Sequence, residues 1–202
     1  MATSRLGILV LAVAGCATAR SGSTPTGAPL SLAAPDGTSS TLDHLRAGHD
    51  ATVLVFWSGA CPCVRRYQDR VDALLDAYPS ARVRVIGVSS NAGETHADAL
   101  RVARERQVRI PIFRDEGGAV ARALGAQSTP TIVVLDASGA IRYRGWLDNE
   151  RLPGESGREA WLDRALLGLL DGKAFQSRSP TWGCTITRSL FESGSCGSHP
   201  NP

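Results

Sequence analysis

The stretch TVLVFWSGACPCVRRY, residues 52–67, decides the expected fold. Its first six residues form an apolar, largely β-branched run, which is typical of a buried strand. The run breaks at Ser58-Gly59, and two cysteines that flank a proline then open a helical pattern. Proline suits a first helical turn, because the N–H that it lacks would have no partner there. The order strand, turn, cysteine, helix places a thiol at a helix N-terminus, where the helix dipole favours the reactive thiolate.

The remaining hydrophobic pattern predicts further helices and strands in an α/β order. The predicted elements, in chain order, are a helix over 61–78, a strand over 83–88, a helix over 95–107, a short helix over 119–124, strands over 132–135 and 140–146, and a helix over 159–170. This order predicts one mixed central sheet with helices on both faces. We assign the domain to residues 30–172 and treat residues 173–202, which show little periodicity, as a cysteine-containing tail.

Composition limits the class of protein. The chain has 202 residues, of which 43% are hydrophobic, and this suits one globular domain with accessory segments. The net charge is only +3, and the lysines and arginines are dispersed along the chain. Because no basic stripe is visible, we do not expect nucleic acid as a partner.

The N-terminus predicts export. Arg5 precedes an apolar run, residues 6–14, that is too short to span a membrane, so residues 1–15 are predicted to be a secretory signal. The sequence Val-Ala-Gly-Cys at residues 13–16 resembles a bacterial lipobox, which implies cleavage before Cys16 and a diacylglycerol group on its sulfur. An ordinary signal peptide with an incidental cysteine is the alternative.

The predicted anchor also implies a location. Residues 16–29 are rich in Ser, Thr, Gly and Pro, as expected of a flexible tether between lipid and domain. Ala17 is not an aspartate, so nothing argues for retention at the inner membrane. We therefore expect a protein anchored by lipid in the bacterial cell envelope, on the periplasmic side and at the outer membrane, where oxidising conditions permit disulfides.

Two motifs resemble the thioredoxin superfamily, in its branch of envelope redoxins and peroxiredoxin-like (AhpC/TSA) proteins. Phe56-Trp57 precedes the cysteine turn, and Ser128-Thr129-Pro130-Thr131 precedes an apolar strand. The resemblance extends over about residues 30–188 and implies a thioredoxin-like fold. It implies a cis bond before Pro130 and a Thr129 that hydrogen-bonds the backbone of a bound substrate cysteine. We expect Trp57 to serve in packing and at the wall of the site rather than in catalysis. An ordinary trans turn at Pro130 is the alternative.

A narrower resemblance concerns the end of the chain. Some envelope thioredoxin-like proteins carry Cys-Pro at the helix start and Gly-Cys-Ser-Ile after the last helix, and this chain has Gly-Cys-Thr-Ile at residues 183–186. The resemblance implies that Cys184 is a second functional or structural cysteine that returns to the Cys61 site. Alternatively, Cys184 and Cys196 pair with each other and staple the tail.

The cysteine motif departs from both family patterns. Thioredoxins carry Cys-x-x-Cys, whereas Val64 occupies the second cysteine's place here, so either Cys63, through a strained small ring, or Cys184 would resolve Cys61. Peroxiredoxins carry Pro-x-x-x-Thr/Ser-x-x-Cys. Ser58 fits that pattern, but Leu54 stands in place of the proline, which weakens a peroxidase interpretation.

The sequence therefore predicts a thiol–disulfide oxidoreductase. Cys61 would be the attacking thiolate, Cys63 or Cys184 the resolving thiol, and Trp57, Thr129 and Pro130 the substrate-binding residues. Its partners would be protein or small-molecule thiols and disulfides, and the chemistry needs no cofactor because the dithiol itself carries the electrons.

Two other functions remain open from the residues alone. The first is a thiol peroxidase in which Cys61 attacks a hydroperoxide and becomes a sulfenic acid. The second is a non-enzymatic lipoprotein, either structural or binding Cu(I), with Cys61, Cys63 and Cys184 as soft ligands. The histidines are scattered and Met1 is the only methionine, so a metal site is not our primary expectation.

Overall fold

The structure, a computed structural model, describes residues 29–150, 154, 157–189 and, by their backbone, 196–199. The predicted signal segment, the lipid site at Cys16 and nearly all of the predicted tether lie outside the described residues. Within the described ranges, no helix is long and apolar enough to cross a membrane.

The strands form two sheets. In chain order, the strands of the described residues are β1 (Ser31–Ala33), β2 (Ser39–Thr41), β3 (Ala51–Trp57), β4 (Val83–Ser89), β5 (Ile112–Arg114), β6 (Ser128–Thr129), β7 (Thr131–Asp136), β8 (Ile141–Gly145), β9 (Thr181–Thr185) and β10 (Cys196–His199). The larger sheet has the order β2-β1-β5-β4-β3-β7-β8, and the smaller one has the order β10-β9-β6. Strand β3 runs parallel to β4 and antiparallel to β7, so the predicted mixed central sheet is confirmed.

The helices cover both faces of the larger sheet. They are α1 (Leu42–Arg46), α2 (Pro62–Asp72), α3 (Leu74–Ala77), α4 (His96–Glu105), α5 (Ala119–Ala123) and α6 (Trp161–Asp171). All seven residues of β3 are buried, as the apolar run predicts. Successive side chains of a strand point to opposite faces, so Val53 and Val55 pack in a cluster with α2, α4 and α6, whereas Leu54 and Phe56 pack with α1 and α5. This two-sided core holds the end of β3, where the cysteines follow.

One prediction of secondary structure needs correction. The single helix predicted over 61–78 is interrupted at Ala73, between the end of α2 and the start of α3. The apolar stripe continues across this interruption, and periodicity therefore did not reveal it. The tail, for which the sequence showed little periodicity, contains β9 and β10. Strand β9 forms by pairing with β6, a distant partner that a local pattern cannot show.

A buried cluster of charges ties α2 to the segment after β8. Arg70 lies 2.5 Å from a carboxylate oxygen of Asp148 and 2.6 Å from one of Glu150. Asp148 is 1% exposed and Glu150 is 7% exposed, and Arg158 pairs with Asp148 from the surface. Taking one partner away from a buried ion pair leaves an uncompensated charge, which costs far more than loss of an exposed pair.

We expect Arg70→Ala to lower the free energy of unfolding by about 3 kcal/mol, because two buried carboxylates lose their shared cation. The matched control is Arg101→Ala on α4, whose pairs with Asp98 and Glu105 are exposed and are expected to be worth less than about 1 kcal/mol. Chemical denaturation of both variants measures the difference. Equal losses would contradict the importance of the buried cluster.

Candidate functional site

Cys61 caps the N-terminus of α2. Its backbone is extended, with φ −80° and ψ 117°, and Pro62 is the first helical residue. The carbonyl of Cys61 accepts the first hydrogen bond of the helix, from the N–H of Arg65 at 3.2 Å. The side chain of Cys61 is only 2% exposed. The structure therefore places this sulfur at a helix N-terminus, where exposed backbone N–H groups stabilise negative charge.

A buried carboxylate, Glu94, holds the turn that precedes Cys61. Its Oε1 accepts hydrogen bonds from the N–H of Gly59 at 2.6 Å and from the hydroxyl of Ser58 at 3.4 Å. Its Oε2 accepts a hydrogen bond from the hydroxyl of Ser89, at the end of β4, at 2.7 Å. Glu94 thus ties the turn to the neighbouring strand. Our sequence reasoning missed this residue, because a single acidic residue in a polar loop gives no periodic signal.

The loop before β7 faces Cys61. The Thr129–Pro130 peptide bond is cis, which confirms the prediction. The thiol of Cys61 donates a hydrogen bond to the carbonyl of Thr129 at 3.2 Å. Thr129 and Pro130 are both buried. Thr129, one of the predicted substrate-binding residues, therefore contacts the predicted nucleophile from the interior of the protein.

Strand β9 brings Cys184 to the same place. Thr129 and Cys184 are opposite each other in the antiparallel pairing of β6 and β9. The hydroxyl of Thr129 also donates to the carbonyl of Cys184 at 3.4 Å. The sulfurs of Cys61 and Cys184 are 2.7 Å apart. The structure thus brings together two cysteines that are 123 positions apart in the chain.

Gly183 permits this close approach. Its φ is +145°, a conformation that L side chains rarely adopt. A Cβ at this position would lie 2.1 Å from the carbonyl oxygen of Thr129. The glycine before Cys184, which carries part of the narrower sequence resemblance, is therefore explained by steric necessity.

Two further cysteines of the described residues, Cys63 and Cys196, lie near this pair. Cys63 is in the first turn of α2 and is partly buried against the core. The sulfurs of Cys61, Cys63 and Cys184 all lie within 4.8 Å of one another. The backbone of Cys196 is opposite that of Cys184 in the pairing of β9 and β10. A bond between Cys184 and Cys196 stays a prediction.

A cleft opens beside the Cys61–Cys184 pair. Its volume is about 410 Å³. Ala60, Pro62 and Gly93 are exposed at the cleft, whereas Cys61 and Glu94 are buried. The full lining consists of Ser58, Ala60, Cys61, Pro62, Asn91, Gly93, Glu94, Cys184, Thr185 and Thr187. The volume falls in the range of small-molecule sites.

The family of the chain follows from comparison with known proteins. The AhpC/TSA family matches residues 27–144, which is more than half of the sequence. The chain belongs to the AhpC/TSA family. No curated protein matches the chain in sequence.

Solved structures show the same fold. An uncharacterized conserved protein from Geobacillus kaustophilus is 26% identical, with a TM-score of 0.71, and the match covers 81% of this chain and 90% of that one. A hypothetical protein from Sinorhizobium meliloti 1021 is 25% identical, with a TM-score of 0.70, over 82% of this chain and 93% of that one. The peroxidoxin BcpB from Mycobacterium tuberculosis is 20% identical, with a TM-score of 0.54, over 73% and 95%, and this likeness concerns the fold alone. The predicted thioredoxin-like fold is confirmed.

This AhpC/TSA protein uses the positions of the peroxiredoxin motif for structural purposes. The hydroxyl of Ser58 donates to Glu94 and accepts from the N–H of Ala60 at 3.3 Å, so it stabilises the turn. Leu54 is fully buried on the opposite face of the sheet from α2. The family match ends at residue 144, so the contact between Cys61 and Cys184 is a finding of the structure and not of the family match.

Trp57 lies in the core beneath the site. Its side chain is fully buried and is not among the residues that line the cleft. Its indole N–H donates to Oε1 of Gln68 at 2.9 Å, and Nε2 of Gln68 donates to Asp72 at 3.1 Å. Trp57 therefore positions α2, in line with the packing role expected for it, and other residues form the wall of the cleft. The alternation of β3 agrees with this role, because Val53, Val55 and Trp57 share one buried face.

Replacing Gly183 by alanine tests the packing of β9. Because the added Cβ would meet the Thr129 carbonyl, we expect the variant to lose about 1–3 kcal/mol more than its control and to expose the amides of β6 and β9 to faster hydrogen exchange. Gly37→Ala is the control, since its φ is also positive, at +86°, but an added Cβ meets nothing within 4 Å. Denaturation and hydrogen exchange give the two readouts. Unchanged exchange in β9 would contradict the proposed clash.

The buried carboxyl of Asp72 predicts a dependence of stability on pH. Burial raises its pKa, although hydrogen bonds from Arg109, Gln68 and Ile110 oppose the shift. The folded chain then binds this proton more tightly than the unfolded chain. The contribution to stability is therefore present in acid and is lost as the pH rises through the raised pKa.

Asp72→Asn keeps an acceptor oxygen but removes the titration. We expect the free energy of unfolding of the wild type, relative to this variant, to fall as the pH rises from acid toward neutral. Asp69→Asn, on the exposed side of the same helix, controls for the loss of a charge. Urea denaturation at a series of pH values measures both differences. A relative gain in wild-type stability over that range would show that the hydrogen bonds outweigh burial.

Proposed function

We propose that this AhpC/TSA protein is a thiol–disulfide oxidoreductase of the cell envelope whose redox couple is Cys61 and Cys184. The observation that carries this proposal is the 2.7 Å separation of the two sulfurs. A disulfide bond is about 2.05 Å long, so a small movement would join them. The sequence left open whether Cys63 or Cys184 resolves Cys61, and we assign this role to Cys184. Cys184 lies on β9, far from Cys61 in the chain, so a disulfide between them would close no strained small ring.

Cys61 is the attacking sulfur, because, of the two members of the proposed couple, it is the one at a helix N-terminus, a position that favours thiolates. The Cys61 thiolate attacks one sulfur of a substrate disulfide, the substrate S–S bond breaks, and the first leaving thiolate takes up a proton. The Cys184 thiol then loses its proton and attacks Cys61, and the second substrate sulfur leaves as a thiol. Two electrons pass from the protein to the substrate, and the reverse sequence oxidises two thiols.

The surroundings suit this exchange in two ways. The cleft gives reactants a path to two sulfurs that are otherwise buried or half-buried. The carbonyl of Thr129 and the pairing of β6 with β9 fix the two sulfurs relative to each other. Fixed geometry lowers the entropy lost when the disulfide forms. Export and a lipid anchor at Cys16 belong to the same proposal and rest on the pattern of residues 1–16.

A second candidate function is the binding of one Cu(I) ion. The specific observation is that the sulfurs of Cys61, Cys63 and Cys184 lie within 4.8 Å of one another. Thiolates are the soft ligands that Cu(I) prefers. In this alternative Cys63 is a ligand, whereas in the redox proposal it is not required. Cys63 therefore discriminates between the two functions.

Disulfide mapping of three variants tests the proposal. After mild oxidation and alkylation of the remaining thiols, mass spectrometry of the wild type is expected to show a Cys61–Cys184 disulfide that a thiol reductant reverses. We expect Cys61→Ser and Cys184→Ser to form no such disulfide. Their rates of disulfide exchange are expected to fall by at least about 100-fold, since the nucleophile or its resolving partner is absent. Cys63→Ser is the matched control and is expected to keep both.

Two results would redirect the assignment. If Cys61 and Cys184 stay reduced under oxidant, and Cu(I) binds stoichiometrically to the wild type but not to Cys63→Ser, the metal function replaces the redox one. If the chain consumes hydroperoxide in the presence of a thiol reductant faster than it reduces disulfides, the couple serves a peroxidase. Hydroperoxide consumption and disulfide reduction are therefore measured on the same preparation.

A further inference from the structure

The sheet edge beside Cys61 is already occupied by the chain itself. Strand β6 offers two residues for pairing, and β9 pairs with both, Ser128 with Thr185 and Thr129 with Cys184. An extended polypeptide docks on a sheet edge by adding a strand, which requires unpaired backbone N–H and C=O groups. At β6, β9 supplies this strand from within the chain.

Strand β9 is held firmly at its C-terminal side. The N–H of Ile186 donates to the carbonyl of Gln127 at 2.9 Å, and its side chain is 4% exposed in the core cluster that contains α1 and α5. The N–H of Thr187 donates to Oδ1 of Asn91 at 2.9 Å. Freeing the edge of β6 would break these contacts.

The N-terminal side of β9 is held as well. The ring of Trp182 packs edge-on against that of Trp146, with centroids 3.7 Å apart, and Trp146 is only 2% exposed. Gly183 lies against the Thr129 carbonyl, as described above. Displacement of β9 therefore costs buried aromatic contact in addition to backbone hydrogen bonds.

Within the part of the chain that the structure describes, the cleft offers an approach to both sulfurs of the couple. Both sulfurs of the couple line it, and its rim is exposed at Ala60, Pro62 and Gly93. A volume of about 410 Å³ lies in the range of small-molecule sites.

We infer that the Cys61–Cys184 couple exchanges electrons with small-molecule thiols and disulfides that enter this cleft, and not with extended polypeptides that dock by strand addition. This inference rests on the proposed function and adds its substrate class. The exchange is the one given above: a small disulfide RSSR accepts two electrons and leaves as two RSH, while the protein dithiol becomes the Cys61–Cys184 disulfide.

Two matched probes test the substrate class. The first is hydroxyethyl disulfide, and the second is the same hydroxyethylthio group attached to the single cysteine of an unfolded polypeptide. Each reacts with the reduced full-length chain, and formation of the Cys61–Cys184 disulfide is followed by quenching, alkylation and mass spectrometry. Each rate is divided by the rate of that probe with dithiothreitol. We expect the normalised rate for the small disulfide to be at least about tenfold higher.

A pair of core variants tests whether β9 causes the difference. Ile186→Ala removes an anchor of β9 and is expected to raise the normalised rate of the polypeptide probe severalfold. Leu45→Ala removes a buried leucine of the same core cluster from α1 and is expected to leave it unchanged. Circular dichroism shows whether both variants fold. If Ile186→Ala does not fold, the comparison of the two probes on the wild type still tests the substrate class.

The outcomes separate this inference from the proposed function. If both probes oxidise the couple at equal normalised rates, the substrate class is wrong and the redox function stands. A chain that reacts with neither probe overturns the redox function, and the substrate class with it.

Discussion

The close approach of strand β9 to the Thr129 carbonyl governs the rest of the site. It depends on one missing side chain, at Gly183, where any Cβ would collide with that oxygen. Because the two strands are in register, Cys184 is carried to the Thr129 side of the sheet and its sulfur reaches that of Cys61. The closeness of the Cys61 and Cys184 sulfurs is therefore a consequence of backbone packing. Without Gly183, β9 would hold the Cys184 thiol farther from Cys61.

The surrounding polar network keeps the other half of the pair in place. Glu94 fixes the turn before Cys61 by accepting from one backbone N–H and two hydroxyls. Gln68 links Trp57 to Asp72 beneath the helix. Buried polar groups are costly unless they are hydrogen-bonded, and once satisfied they specify one geometry. The two sulfurs thus lie 2.7 Å apart, between a helix start held by hydrogen bonds and a strand held by pairing.

Much of this arrangement could be predicted from local pattern. The apolar run of β3, the break at Ser58-Gly59 and the proline after Cys61 specify strand, turn and helix through short-range rules. The cis bond at Pro130 was also predicted. The rest could not be predicted in this way. Strand β9 exists because it has β6 as a partner, and Glu94 acts on the turn at Gly59, which lies 35 residues earlier in the chain but is folded against it. Such pairings depend on tertiary proximity, which periodicity does not encode.

The geometry imposes two opposite influences on the proposed Cys61–Cys184 couple. A helix N-terminus favours negative charge on a group beside it, and this influence favours the reduced protein. The fixed closeness of Cys184 reduces the entropy lost when the bond forms, and so favours the oxidised protein. The first influence acts on one residue of α2, whereas the second acts through the packing of β9. Because they reside in separate elements, the stability of the disulfide can be adjusted by changing the contacts of β9 while the nucleophile at the helix start is left intact. On the proposed function, β9 therefore both covers the edge of β6 and sets how readily the Cys61–Cys184 couple gives up its electrons.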